Sequence, residues 1–176
     1  MTLPVRNARV DAASAAASFA ATAERHLDDV YGYLVYLTRD PALAEDLAAE
    51  TFEKALRLWR RFDARRASAR TWLCQIARTT ALDWFRAEER RRRREERAAP
   101  LERVEPALAE GLSPELETAL ASLSAGEREV IALRVLLELD SEEAARVLGV
   151  SPTAVSTRLS RALRKLEERM DSHVAV

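Results

Sequence analysis

Apolar side chains recur at three- and four-residue intervals along most of this 176-residue chain. That is the spacing of one buried face of an α-helix. Leu27, Val30, Tyr31 and Leu34 make a first stripe. Asp40-Pro41 has the form of an N-cap followed by a first helical residue, so a second helix starts there, with Ala44, Leu47, Ala48, Phe52, Ala55 and Trp59 as its apolar face. Arg61 to Ala69 carries no apolar period and reads as a loop. A third helix follows from Arg70 to about Arg86, built on Trp72, Leu73, Ile76, Ala77, Leu82, Trp84 and Phe85.

The pattern then stops. Ala87 to Leu112 holds the arginine run Arg90 to Arg94, then Pro100, Pro106 and Gly111, and has little apolar period. It reads as a flexible linker, and about 26 residues of extended chain span roughly 85 Å. Helical spacing resumes after Ser113-Pro114 with Leu116, Ala119, Leu120 and Leu123. Ser124 to Glu127 fits a capping box ahead of a helix carrying Val130, Ile131, Leu133 and Leu137. Ser141 opens a short helix that ends at Gly149, and Ser151-Pro152 opens a last helix running to about Met170.

The expected fold class is therefore all-α, with two small helical domains joined by a flexible linker. The divisions are 1–23, a low-complexity N-terminal segment; 24–86, a first helical domain; 87–112, the linker; 113–170, a second helical domain; and 171–176, a tail. Composition agrees, since 33 alanines, 24 leucines and 26 arginines favour helix and only four glycines interrupt it.

Candidate enzyme chemistry is sparse. Cys74 is the single cysteine, which excludes an internal disulfide, and its place in the third helix reads as a packed thiol. His26 and His173 lie near opposite ends, and no glycine-rich phosphate loop or metal-ligand set accompanies them. No enzyme activity, cofactor or metal is expected. Ala12 to Ala23 is too weakly apolar for a secretory signal and too short to cross a bilayer, so no membrane insertion and a cytoplasmic location are expected.

The net charge of −1 conceals a strong partition. Residues 1–60 sum to −2, residues 61–97 to +6, residues 98–150 to −7 and residues 151–176 to +2. Two basic stretches separated by an acidic one suggest two contacts with a polyanion.

The segment SEEAARVLGVSPTAVSTRLSRALRKL, Ser141 to Leu166, has the spacing of a helix-turn-helix. Ala145 is small where two helices approach, Gly149 suits the turn, and Val150 and Val155 fill the core. Val155, Leu159, Ala162 and Leu166 make the inner stripe of the last helix. Thr153, Ser156, Thr157, Ser160, Arg161 and Arg164 are left on its outer face, where hydroxyl and guanidinium groups can read base edges and grip phosphates.

With the helix-turn-helix in place, the two halves together resemble the small extracytoplasmic-function group of bacterial RNA polymerase sigma factors. The first half matches through DLAAETFEKALRLWRRF (Asp46 to Phe62) and TWLCQIARTTALDWFR (Thr71 to Arg86), and the second through Leu123 to Leu166. The resemblance implies that the first domain binds the clamp helices of the largest subunit of core RNA polymerase and opens the −10 promoter element. It implies that the second binds the −35 element of promoter DNA, and that an anti-sigma factor is a further partner.

By position, the resemblance makes Asp46, Glu50 and Glu53 polymerase contacts, with Ala49 standing where the family often has glutamine. It places Phe62, Arg65, Arg66, Arg70, Arg78 and Arg86 against −10 DNA, with the loop from Phe62 to Ala69 as the element that captures a flipped base. Trp72, Trp84 and Phe85 are stacking candidates there, although helical spacing favours packing for them. For the −35 element it designates Thr153, Ser156, Thr157, Arg158, Ser160, Arg161 and Arg164. Ser156 stands where the family frequently has a basic residue.

The alternative is a stand-alone dimeric helix-turn-helix regulator of transcription. It accounts for residues 113–170 and leaves the acidic second helix and Arg61 to Arg86 without a role.

Overall fold

A computed structural model describes the backbone of residues 5–95 and 113–174, and among those residues it contains helices and turns and no strand. Its helices are α1 (Val5–Thr38), α2 (Pro41–Leu58), α3 (Ala69–Glu95), α4 (Pro114–Ala121), α5 (Ala125–Ile131), α6 (Ser141–Leu148) and α7 (Pro152–Val174). The all-α expectation and the two-domain arrangement with a helix-turn-helix hold.

Capping chemistry sets the helix starts. Asp40 accepts from the Leu43 amide with Pro41 in the first turn, and Ser113 does the same for Leu116 ahead of Pro114. Ser124 and Glu127 form the expected capping box, and Asp140 with Glu143 forms a second one that opens α6.

Helix boundaries extend beyond the sequence expectation at three places. α1 begins at Val5, inside the stretch read as low-complexity, because alanine is the strongest helix former. α3 continues through 87–95, which the apolar pattern assigned to the linker. Charge pairing sustains it there: Arg91 pairs with Glu88 at 2.7 Å, and Glu89 takes both Arg92 and Arg93 at 2.8 Å. α7 runs through the expected tail to Val174. Residues 1–4, the remaining linker positions 96–112, and 175–176 lie outside the described residues.

In the first domain, α1, α2 and α3 pack pairwise on one another. Val30, Leu34, Ala44, Ala55, Leu73, Ala77 and Ala81 are fully buried there, and the alanines permit close helix approach. Phe19 packs edge-on against Trp59 with ring centroids 5.4 Å apart, which ties the early part of α1 to the end of α2.

In the second domain, α4, α5 and α6 all pack on α7. α5 runs into a π-helical turn, Ala132–Leu136, where the Leu137 amide reaches the Ala132 carbonyl at 3.0 Å. That wider turn and a left-handed Glu138 (φ 50°) deliver Leu139 to the core, where it is fully buried.

The two domains are packed together. α3 lies against α6, and α1 touches the π-helical turn. One apolar cluster runs from Val30, Tyr33 and Leu34 through Leu73 and Ala77 to Val130, Leu133, Ala144 and Val155.

Candidate nucleic-acid interface

The acidic candidates share one ridge. Asp46, Glu50 and Glu53 sit at i, i+4 and i+7 on α2, opposite its buried Ala44, Leu47, Ala48 and Ala55, and all three are exposed. Lys54 and Arg57 pair with Glu50 and Glu53 at 2.8 and 2.5 Å. Leu56 is half exposed three residues beyond Glu53. The apolar pattern did not single it out, although a leucine off the buried stripe is itself a signal.

The loop after α2 is organised by aromatic rings. Phe62 stacks on Trp59 at 5.0 Å with an interplanar angle of 11°, and Trp72 closes on both at 5.9 and 5.1 Å. Trp72 is half-buried, so packing occupies much of it. Beside these rings lies a cavity of about 480 Å³ lined by Arg61, Phe62, Asp63, Arg66, Ala67, Trp72, Gln75 and Arg146. Arg61 and Arg146 were not among the sequence candidates. Arg146 comes from α6, more than seventy residues away, and no local pattern marks it.

The other basic candidates are placed differently. Arg65 is exposed and pairs with Asp63 at 3.1 Å, which holds the Asp63 carboxyl below its ordinary value. Arg70 reaches Asp29 at 4.0 Å, and Arg86 pairs with Asp83 at 3.0 Å. Arg78 faces the second domain, where its Nε donates to Glu129 at 2.7 Å. Burial acts to lower the Arg78 pKa, but the bond and charge of Glu129 outweigh it, so Arg78 stays cationic. Trp84 packs against the core, while Phe85 stands edge-on to it and remains partly exposed. Cys74 is buried and its thiol is pushed up to about 12 by that burial, so it stays protonated.

In the second domain the turn between α6 and α7 is made by Gly149 in the left-handed region (φ 68°), with its amide on the Ala145 carbonyl at 2.8 Å. The Ser151 hydroxyl accepts from the Ala154 amide at 3.2 Å and so caps α7. Val155 and Ala162 are fully buried and Leu159 and Leu166 half-buried, as the inner stripe requires. Thr153, Ser156, Thr157, Arg158, Ser160, Arg161 and Arg164 are all exposed.

Hydroxyl orientation on this face is informative. Thr157 donates to the Thr153 carbonyl at 2.9 Å and Ser156 to the Pro152 carbonyl at 3.1 Å. Each then presents acceptor lone pairs outward, and Thr157 adds a methyl. Arg164 pairs with Glu168 at 3.7 Å, while Arg158 and Arg161 make no ion pair among the described residues.

Comparison with known proteins decides between the sigma-factor and regulator readings. Residues 22–91 match the model of Sigma-70 region 2, and residues 113–166 match that of Sigma-70, region 4. The ECF RNA polymerase sigma factor SigX of Bacillus subtilis is 31% identical over 153 residues, covering 81% of this chain and 78% of its own length. The chain belongs to the ECF family of RNA polymerase sigma factors.

ECF sigma factor SigC of Mycobacterium tuberculosis is 36% identical over 137 residues, covering 76% of this chain and 73% of its own. Among solved structures, the sigma factor RpoE bound to the anti-sigma factor NepR from Bartonella quintana superposes with a TM-score of 0.69 at 27% identity, covering 88% of this chain and 97% of that one. CnrH in complex with the cytosolic domain of CnrY gives 0.65 at 28% identity, covering 93% and 97%.

As a sigma factor, the protein is a non-enzymatic subunit that confers promoter recognition on RNA polymerase and directs transcription initiation. Among the described residues no group of His, Cys, Asp or Glu is placed to hold a metal ion, and no helix is long and apolar enough to cross a membrane.

Proposed function

We propose that the sigma factor divides its work among three surfaces. The α2 ridge of Asp46, Glu50 and Glu53 docks on a basic helical surface, the clamp helices of the largest polymerase subunit. Charge complementarity there orients the encounter, and half-exposed Leu56 adds apolar contact.

Phe62, Arg65, Arg66, Arg70, Arg78 and Arg86 serve the −10 element. Extracting a base from the duplex costs a few kcal/mol of unstacking. The aromatic floor of Trp59, Phe62 and Trp72 beside a cavity rimmed by Arg61 and Arg66 offers compensating stacking and phosphate attraction.

Thr153, Ser156, Thr157, Arg158, Ser160, Arg161 and Arg164 read the −35 element from α7. The observation that carries the proposal is the split character of that helix: its apolar stripe of Val155, Leu159, Ala162 and Leu166 is buried or half-buried while every one of these polar positions is exposed. The outward acceptor and methyl of Thr157 suit a cytosine amino group or a thymine methyl, and Arg161 suits guanine.

Residues 24–86, extended by the charged end of α3, act as the polymerase and −10 unit, and residues 113–170 act as the −35 unit. The protein works in the cytoplasm, and an anti-sigma protein of the kind bound in the RpoE complex is its regulator.

Adding the protein to purified core polymerase tests the proposal. Initiation at promoters located by genomic footprinting is expected only when both are present. Tight DNA binding by the protein alone, with no association with core, would instead support the dimeric regulator.

A further inference from the structure

Phe19 stands outside the stretch that matches Sigma-70 region 2, which begins at residue 22. It is the one large apolar side chain between Ala12 and Ala23. Alanine is enough to make that stretch helical, so the helix itself has no need of the ring. Yet Phe19 is only 7% exposed, while Ala17, Ser18 and Ala20 beside it are exposed. A ring buried alone in so weakly apolar a segment points to a specific contact.

That contact is Trp59, to which the Phe19 ring stands edge-on at 5.4 Å and 68°. Trp59 opens a single 3-10 turn, Trp59–Arg61, which closes where the Phe62 amide donates to the Trp59 carbonyl at 3.0 Å. Side chains at i and i+3 eclipse in such a turn, and Trp59 and Phe62 accordingly stack at 5.0 Å and 11° from parallel. The plane of Phe62 therefore follows the plane of Trp59.

Phe62 and Trp72 line the cavity of about 480 Å³, and Trp59 packs on both rings from outside that lining. Leu58, which precedes the turn, gives it no side-chain cap, and one 3-10 turn has weak hydrogen-bond geometry of its own. Ring packing is what orients Trp59. Its ring neighbours come from three places: Phe62 in the loop, Trp72 on α3 and Phe19 on α1.

We infer that Phe19 is a positioning residue for base capture: from α1 it fixes the orientation of Trp59, and through Trp59 the tilt of Phe62 at the cavity. The inference rests on the assignment of the Phe62 loop to base capture. Removing the Phe19 ring leaves the cavity's own residues in place but frees Trp59 to rotate, so Phe62 no longer presents one fixed face to a base. The loss falls on stacking of the captured base. Attraction of the strand's phosphates to Arg61 and Arg66 is unaffected.

The test uses holoenzyme assembled from core polymerase and the parent chain, Phe19→Leu, Phe19→Met or Phe19→Tyr, with circular dichroism confirming helix content. Each binds a single-stranded −10 oligonucleotide, intact and with an abasic site moved through the element one position at a time. In the parent, the abasic site at the captured position is expected to weaken binding roughly tenfold, the loss of one stacked base. In Phe19→Leu, which stays apolar and loses the ring, that penalty is expected to shrink to roughly threefold, because only the intact oligonucleotide binds more weakly. Phe19→Met repeats the test where leucine misfolds, and Phe19→Tyr, which keeps the ring, is expected to restore the full penalty.

An undiminished penalty in the folded ringless variants overturns the inference. Equal weakening of intact and abasic oligonucleotides also overturns it, since Phe19 would then act on stability alone. Loss of helix content in both ringless variants does the same. If no abasic position weakens binding by the parent, the base-capture reading itself fails, and that result is distinct from a parent penalty that Phe19 does not change.

Discussion

The guanidinium of Arg78 on α3 donates to the carboxylate of Glu129 on α5 at 2.7 Å, joining residues 51 positions apart in two domains. Only 25% of the Arg78 side chain and 11% of the Glu129 side chain reach solvent. Replacing Arg78 with alanine leaves a nearly buried carboxylate with Tyr33 as its remaining side-chain donor. The expected cost is about 2 kcal/mol, read as a lower midpoint in urea denaturation. Arg78→Lys, which keeps the charge and loses the fork, is expected to recover part of it.

The acid limb of the stability profile should report a second contact. Lys165 on α7 donates to Glu127 at 2.6 Å. That bond, with the Ser124 amide and hydroxyl, lowers the Glu127 carboxyl to about 2. A depressed carboxyl contributes stability that is full above its unfolded value, about 4.3. That contribution is lost as pH falls from there toward about 2. Thermal midpoints measured between pH 7 and pH 2 should therefore fall less steeply for Glu127→Gln than for the parent chain. Parallel curves would show that the clamp adds nothing.

Gly149 is expected to resist substitution for a backbone reason alone. A Cβ placed there meets nothing within 4 Å, but its φ of 68° is strained for any L side chain. Gly149→Ala should cost about 1 kcal/mol, measured by denaturation, and should weaken −35 binding by loosening the angle between α6 and α7.

Much of this was legible in the chain. The helix stripes, the cap at Asp40, the capping box at Ser124 and the outer face of α7 all follow from local spacing, and the structure reproduces them. The charged end of α3 was not legible from apolar period, because Glu88 and Glu89 sustain that helix by pairing with arginines.

The π-helical turn at Ala132–Leu136 and the roles of Tyr33, Glu129, Glu143 and Arg146 depend on which surfaces meet across 51 to 96 residues. Spacing within one helix carries no record of that. The family resemblance alone set Arg78 against −10 DNA, and no local spacing reveals that Glu129 holds it in the packed chain.

Glu50→Lys should separate polymerase binding from folding. Glu50 is exposed and its pair with Lys54 is of the surface kind, worth at most about 1 kcal/mol, so helix content is expected to be unchanged. Association with core polymerase should weaken roughly tenfold at low salt and by less at high salt, as measured by titration of labelled protein.

The division of promoter reading between two surfaces is tested most directly by footprinting holoenzyme on one promoter with two variants, Arg66→Ala and Arg161→Ala. Nuclease protection reports the upstream element, and permanganate reactivity of unpaired thymines reports opening at the downstream one. Arg161→Ala is expected to weaken −35 protection by roughly 1–3 kcal/mol of binding, while any complex that forms still opens. Arg66→Ala is expected to leave −35 protection intact and to reduce permanganate reactivity. Loss of both signals together in either variant, or of neither in both, would contradict the assignment of separate upstream and downstream surfaces to these residues.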